Sequence, residues 1–259
     1  MALSDLDIIY CASGNKRFAQ IAIDAGFKYG SRLPATTYFQ PYFVDQDYKN
    51  PNREKYMKAV SEWKPYMATV LDWQREDQFN EVMDWAEEVS QHVELIIIIP
   101  KILGTINHIP KYVNQKPVRL GFSYPSTYGS ASFSILDEMI DWPNGVHILG
   151  GSPEKQMMIC QGKFKYPRKR TKPTVDFLMS QLDIRSIDGN YMQLMATRYN
   201  QFWCNGDANY ASNPYWPRLD EDSKGRWGDG TNKADAPYEA FRRSCQNIIE
   251  AWSNLKTQP

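Results

Sequence analysis

Three aspartates in this sequence each follow directly on a short apolar run. Asp45 follows TTYFQPYFV, Asp72 follows MATVL, and Asp188 ends IRSID before the turn-forming pair Gly189–Asn190. Carboxyl groups that share one site repel each other, which separates their pKa values, so one can act as an ionised nucleophile while another carries a proton. A single strand-end Asp can equally cap a helix or form a turn, so the prediction depends on the three lying together.

Strands and helices must position these carboxylates, and their sequence patterns alternate along the chain. Apolar, β-prone runs predict seven strands, at residues 7–12, 36–44, 67–71, 93–99, 118–122, 146–149 and 184–187. Right-handed crossovers between them favour a mostly parallel α/β fold. Because no Gly-rich phosphate fingerprint follows any strand, a (β/α)8 TIM-like barrel fits better than an open sheet, and its C-terminal strand ends would meet at one face. The eighth strand either lies in the irregular region 205–233 or is missing from an incomplete barrel.

Composition narrows the class of protein. A length of 259 residues is typical of a (β/α)8 barrel, so we expect one domain over 1–259. Lys+Arg and Asp+Glu number 30 each, so any attraction to nucleic acid must come from a local patch. The four cysteines form no CxxC pair, which predicts no metal site and indicates a reducing cytoplasm. The longest apolar run, residues 95–99, is too short for a bilayer, so we expect no membrane partner.

A basic insertion around 162–175 is the local patch that the composition requires. Its cations are Lys163, Lys165, Arg168, Lys169, Arg170 and Lys172, with Phe164 and Tyr166 between them. Cations for phosphates and rings for bases are typical of a groove that follows a nucleic-acid strand. A solvated basic loop is the alternative. The aromatic-rich loop around 205–233 could form a lid that stacks bases, but packing of a long loop is the favoured explanation of its rings.

The order of the strand ends resembles the tRNA-guanine transglycosylase superfamily, and more closely its phage and bacterial relatives that insert 7-deazaguanine bases into DNA. VHILGGSPEKQM followed by IRSIDGN is similar to that family's His-x-x-Gly strand end and the later Ser-x-Asp strand end. VLDW is similar to its Asp–Trp motif, and YFVDQDY to its Asp–Ser–Gly–Gly–Phe segment. VRLGF stands where the family has a Gly-rich strand end.

The resemblance implies roles for the residues of these motifs. Asp188 would be the nucleophile, Asp72 would bind the purine edge, and Asp45 would move protons, with Asp47 open as the alternative acid or base. The base pocket would further include Lys101, Gly121, Gly150 and Gly151. Lys101 stands where the family usually carries Gln–Gly, so base recognition is expected to differ.

The implied activity is exchange of guanine in DNA for a 7-deazaguanine base, such as 7-cyano-7-deazaguanine, through a covalent Asp-glycosyl intermediate. The zinc-binding cysteine cluster of the tRNA enzymes is absent, which argues against tRNA as substrate. The resemblance implies a homodimer and no cofactor. The expected location is the cytoplasm of a phage-infected host cell. The alternatives are an N-glycosidase that hydrolyses nucleosides or nucleotides, and a non-catalytic nucleic-acid-binding barrel.

Overall fold

The computed structural model describes residues 6–12, 14–124, 135–161, 182–206 and 214–256. The strands, in chain order, are β1 Asp7–Cys11, β2 Lys28–Leu33, β3 Phe43–Gln46, β4 Met67–Thr69, β5 Leu95–Ile98, β6 Tyr112–Val113, β7 Lys116–Ser123, β8 Val146–Leu149, β9 Ile184–Gly189, β10 Arg226–Trp227 and β11 Thr231–Asn232. Eight of these pair in parallel around a closed ring, in the order β1-β2-β3-β4-β5-β7-β8-β9 and back to β1. The chain is therefore a closed (β/α)8 TIM-like barrel.

Helices cover the outside of the ring. They are α1 Lys16–Asp24, α2 Arg53–Trp63, α3 Phe79–Ser90, α4 Leu136–Met139, α5 Pro153–Cys160, α6 Tyr191–Tyr199 and α7 Ala236–Lys256, with 3-10 turns at Glu76–Gln78 and Ile106–His108. Asn15 caps α1 by accepting from the backbone N–H groups of Arg17 and Phe18, which fixes where the chain turns after β1. In the part of the chain that the structure describes, no helix is both long and apolar enough to cross a membrane.

Two apolar layers hold the barrel together. The larger one lies between the strands and the helices, whereas a smaller cluster fills the lumen with Ile9, Phe43, Met67, Ile97 and Ile99 among its members. Lumen residues of neighbouring strands interdigitate, as expected for a barrel of this size. The lumen is therefore packed below its C-terminal end, and a cavity opens where the strands finish.

Gly121 shows how tightly the lumen is filled. A Cβ atom at this position would lie 2.7 Å from Ile99 and 2.9 Å from Leu149. We expect Gly121→Ala to lower the free energy of unfolding by about 2 kcal/mol, because an added methyl overpacks the core. Urea denaturation of that variant and of Gly228→Ala, where a Cβ meets nothing within 4 Å, provides the comparison. Equal stabilities of the two variants would contradict this packing.

The sequence prediction of the strands needs two corrections. The eighth strand is β2, at Lys28–Leu33, so the barrel is not incomplete and its last strand does not lie in 205–233, where the short pair β10 and β11 is found instead. The strand predicted over 36–44 was wrong in extent, since residues 35–42 form no strand and β3 begins at Phe43. Pro41 lacks the N–H that a ladder needs, which explains the late start.

Candidate functional site

A cavity of about 450 Å³ opens at the C-terminal ends of the barrel strands. All three aspartates line it, together with Lys101, Gly150 and Gly151. Gly121 is not among its lining residues, because it faces Ile97, Ile99 and Leu149 inside the packed lumen. The predicted convergence of Asp45, Asp72 and Asp188 is thus present, with Gly121 supporting the floor from below.

A larger depression of about 670 Å³ lies at the opposite end of the barrel, around Tyr42, Tyr66 and Lys116. The N-terminal end of a TIM barrel serves stability in characterised enzymes, whereas chemistry is carried out at the C-terminal end. The smaller cavity is therefore the candidate site. Within the described residues, no group of three or more His, Cys, Asp and Glu side chains is arranged to hold a metal ion.

Asp188, near the end of β9, is held by one of its two carboxylate oxygens. Oδ1 accepts from the backbone N–H of Gly150 at 3.3 Å and lies 3.2 Å from Nε2 of His147. The Gln156 amide donates to the Asp188 carbonyl at 2.7 Å, which fixes the backbone. No residue within the described ranges donates a hydrogen bond to Oδ2. Donors to Oδ1 stabilise the negative charge and leave the other oxygen available to a substrate.

A chain of hydrogen bonds supports Asp188 from inside the lumen. Arg119 donates to the Ser186 hydroxyl at 2.8 Å, and that hydroxyl lies 2.6 Å from Nδ1 of His147. Burial lowers the pKa of His147, so its ring is neutral and carries one N–H. A carboxylate oxygen can only accept, so His147 donates from Nε2 to Asp188, and its unprotonated Nδ1 accepts from the Ser186 hydroxyl, which in turn accepts from Arg119. The order of donors therefore fixes one tautomer, the one that serves Asp188.

Asp45, on β3, is held in a setting that favours its protonated form. Its Oδ1 accepts from the Thr69 hydroxyl at 2.8 Å. Burial, together with the nearby charges of Asp188 and Asp72, raises the pKa of Asp45 to about 8, against a smaller opposing effect of Thr69 and Arg32. At neutral pH this carboxyl therefore carries a proton that it can donate to a ligand in the cavity.

Asp47 does not share this position. It is not among the residues that line the cavity, and its carboxylate accepts from the backbone N–H of Lys49 at 3.2 Å in the turn after β3. Of the two candidates for proton transfer, the structure places Asp45 in the cavity and Asp47 in a local turn.

Asp72 and Lys101 form a buried ion pair on the next two strand ends. Nζ of Lys101 lies 2.6 Å from Oδ2 of Asp72, and both side chains are almost fully buried. Burial raises the pKa of Asp72, and the ammonium of Lys101 opposes that effect. The pair presents an acceptor and a donor side by side at the cavity wall, which is a pattern able to read a polar edge of a flat ligand.

Gly150 and Gly151 form the wall beside Asp188. Both have positive φ, at 73° and 93°, where residues with a side chain are strained. A Cβ at Gly150 would meet no atom within 4 Å, so its absence leaves free space in the cavity. A Cβ at Gly151 would press on the Tyr124 ring at 3.3 Å. The turn therefore keeps one side of the cavity flat and lets backbone approach a ligand.

Residues 22–253 match the sequence profile of DUF6610, a family of unknown function. The chain belongs to this family. The match begins in α1 and ends in α7, so it spans all the strand ends that supply the three aspartates. No curated protein matches the sequence.

Several residues that line this cavity were not predicted from the sequence, among them long basic and aromatic side chains. Arg32, Tyr48, Lys155 and Tyr191 all line it. Arg32 could not be predicted because it lies on β2, whose sequence KYGSRL carries no clear strand pattern. His147 is not among the predicted site residues, yet its Nε2 contacts Asp188. The alternation of His147 and Leu149 along β8 could have indicated that His147 faces the lumen.

Two predicted regions of the DUF6610 chain lie partly or wholly outside the described residues. The basic cluster of Lys163, Lys165, Arg168, Lys169, Arg170 and Lys172 does so entirely, as do residues 207–213 of the aromatic-rich loop. In the described part of that loop, Trp216 and Trp227 are buried. The Trp216 and Trp203 indoles donate to Glu154 at 3.4 and 3.1 Å, which ties the loop to α5.

Proposed function

We propose that this protein is a transglycosylase that exchanges guanine in DNA for a 7-deazaguanine base, such as 7-cyano-7-deazaguanine. The observation that carries the proposal is the pair Asp188 and Asp45 in one cavity, the first held as a carboxylate and the second as an acid. Nucleophilic displacement at a sugar carbon needs both an anion and a proton donor within reach of the same substrate.

In the first half-reaction, Oδ2 of Asp188 attacks C1′ of the guanine nucleotide from the face opposite the base. The C1′–N9 bond breaks, and its electron pair goes to the departing guanine, which takes the proton of Asp45. A glycosyl ester then joins C1′ to Asp188, and Asp45 is left as a carboxylate. His147 and Gly150 retain Oδ1, so the attacking oxygen keeps its direction.

In the second half-reaction, the 7-deazaguanine base enters the pocket that guanine has left. The Asp45 carboxylate removes the N9 proton, N9 attacks C1′, and the ester bond to Asp188 breaks. Asp45 is protonated again and Asp188 is free, so the cycle consumes no cofactor. The two bases share the same pyrimidine edge, and one pocket can hold them in turn.

Recognition of that edge falls to Asp72 and Lys101. The edge of guanine presents N1–H and N2–H₂ as donors beside O6 as an acceptor. The Asp72 carboxylate can accept from the two donors, and the Lys101 ammonium can donate to O6. These two groups lie 2.6 Å apart, so they are adjacent, as the donors and O6 are on the guanine edge. Lys101 thus supplies the donor that the resembling family takes from Gln–Gly, and this explains how the departure is compatible with a guanine substrate.

DNA as substrate is supported by the sequence of 162–175, where cations suited to phosphates are concentrated. A base inside a duplex must be flipped out before it can enter the cavity, at a cost of a few kcal/mol that phosphate contacts can offset. A homodimer, and a place in the cytoplasm of an infected host cell, belong to the same proposal by resemblance.

A base-exchange assay tests the proposal. DNA with labelled guanine is incubated with the protein, with and without 7-cyano-7-deazaguanine, and both released guanine and inserted base are measured. Without the acceptor, we expect release to stop at one guanine or less per protein molecule, because the covalent intermediate accumulates. With the acceptor, release should continue over many turnovers, with one base inserted for each guanine lost. Release of many guanines per protein molecule without an acceptor would instead identify an N-glycosidase. Salt-sensitive DNA binding with no release in either arm would leave a non-catalytic barrel and overturn the proposal.

A further inference from the structure

Two cations in the cavity form no ion pair with its carboxylates. Of the described residues that line it, three are basic: Arg32, Lys101 and Lys155. Lys101 is paired with Asp72. No hydrogen bond or ion pair reaches the side chain of Arg32 or of Lys155 from residues in the described ranges, and the Lys155 ammonium lies 5.3 Å from the centre of the Tyr124 ring. Arg32 and Lys155 are therefore free to bind an anion.

The carboxylate nearest to Lys155 in the sequence is already occupied. Glu154 accepts from the Ser152 hydroxyl at 2.5 Å and from the Trp203 and Trp216 indoles. These three donors fix Glu154 as the anchor of the loop that follows α6. Lys155 is therefore placed to bind an incoming ligand and not Glu154.

The two free cations stand on either side of the proposed nucleophile. Around the ring the strands follow the order β8-β9-β1-β2. Lys155 belongs to α5, which follows β8, Asp188 lies on β9, and Arg32 lies on β2. A sugar placed over Asp188 therefore has one cation towards β8 and another towards β2.

We propose that Arg32 and Lys155 bind the two phosphates that flank the reacting nucleotide, one on its 5′ side and one on its 3′ side. This inference rests on the proposed function, because it places the sugar over Asp188. Phosphates on C5′ and C3′ leave a nucleotide in different directions, which matches two cations separated by the strand of the nucleophile. A guanidinium and an ammonium both form charge-assisted hydrogen bonds with phosphate oxygens.

The substrate class follows from this arrangement. A nucleotide inside a strand carries both phosphates, whereas a nucleoside carries neither and gains nothing from the two cations. Tyr48 and Tyr191 line the same cavity and are 37% and 38% exposed, so their rings are accessible for stacking by the neighbouring bases. Phosphate contacts would position the strand without reading its sequence.

Equilibrium binding tests the inference without requiring turnover. Deoxyguanosine, its 5′-monophosphate and its 3′-monophosphate are titrated into the protein by calorimetry. For the unchanged protein, we expect each phosphate to raise the affinity by about 10- to 100-fold, as for other hydrogen bonds to charged groups. Arg32→Gln should remove the gain from one phosphate and Lys155→Gln the gain from the other, while deoxyguanosine binds all forms equally.

Arg242→Gln is the matched control, because it removes the same charge from the exposed face of α7, outside the cavity. It should retain both phosphate gains. Equal binding of the three ligands, loss of the same gain in both cavity variants, or no binding of any ligand would each overturn the inference. The protein could show the predicted phosphate gains and yet have no exchange activity. That result would support the two phosphate sites and contradict only the transglycosylase proposal.

Discussion

Asp188→Asn should abolish guanine exchange while leaving the barrel folded, with a rate loss on the order of 10⁴-fold or more, as found when nucleophiles are removed from other enzymes. An amide oxygen can still accept from Gly150 and His147, so the hydrogen bonds to Oδ1 survive the change. The amide nitrogen that replaces Oδ2 has no charge and is a poor nucleophile. The variant therefore keeps the hydrogen bonds of Asp188 and loses only its nucleophilic oxygen.

Two measurements separate the role of Asp188 from a structural one. Mass spectrometry of the protein mixed with guanine-containing DNA, without acceptor base, should detect a glycosyl adduct in the unchanged protein and none in Asp188→Asn. Asp183→Asn is the control, because its carboxylate precedes the same strand and pairs with Arg185 on the surface, where an ion pair contributes little. Exchange retained by Asp188→Asn would remove Asp188 from the role of nucleophile.

The barrel could be predicted from the sequence because most of its strands are apolar and β-branched. Residues 95–98 read LIII and are buried on both faces, which is typical of a parallel strand. The missed strand reads KYGSRL, which has little β propensity. Its place between β1 and β3 overrides that propensity, since a Cβ at Gly30 would already lie 3.0 to 3.2 Å from Ile9, Phe43 and Cys11. A small residue is needed there, and small residues weaken the strand pattern.

The meeting of Asp45, Asp72 and Asp188 could be predicted once a barrel was assumed, because all three end strands of one parallel ring. The side chains that contact these aspartates could not be predicted. The Asp72–Lys101 contact joins residues on neighbouring strand ends, and the His147–Asp188 contact depends on the register of β8 against β9, which shifts between Val146 and His147. Register is a property of the assembled sheet, and no local pattern in this sequence encodes that shift.

The second large effect concerns the proton of Asp45. Exchange requires this carboxyl to be protonated in the first half-reaction, and its pKa is raised to about 8. The rate at saturating acceptor should therefore fall about tenfold for each pH unit above 8. Asp45→Asn should lose that alkaline limb and lower the rate at pH 7 by about 10²- to 10⁴-fold, the usual contribution of a general acid. Asp47→Asn should keep the rate and the profile, and the reverse result would assign the proton to Asp47.

Stability gives an independent readout of the same proton. In the unfolded chain Asp45 ionises near 3.8, whereas in the fold its pKa is about 8, so folding favours the protonated form. That contribution is fully present below pH 3.8 and is lost as the pH rises towards 8. Asp45→Asn removes this pH dependence, and its amide oxygen still accepts from Thr69. At pH 9 the free energy of unfolding of this variant should therefore be about 2 kcal/mol higher than that of the unchanged protein. Water in the cavity weakens the effect of burial, which keeps the expected difference this small. Urea denaturation at pH 5 and pH 9 measures the difference. A gain of equal size at both pH values would place its origin in packing and leave Asp45 without the proposed proton.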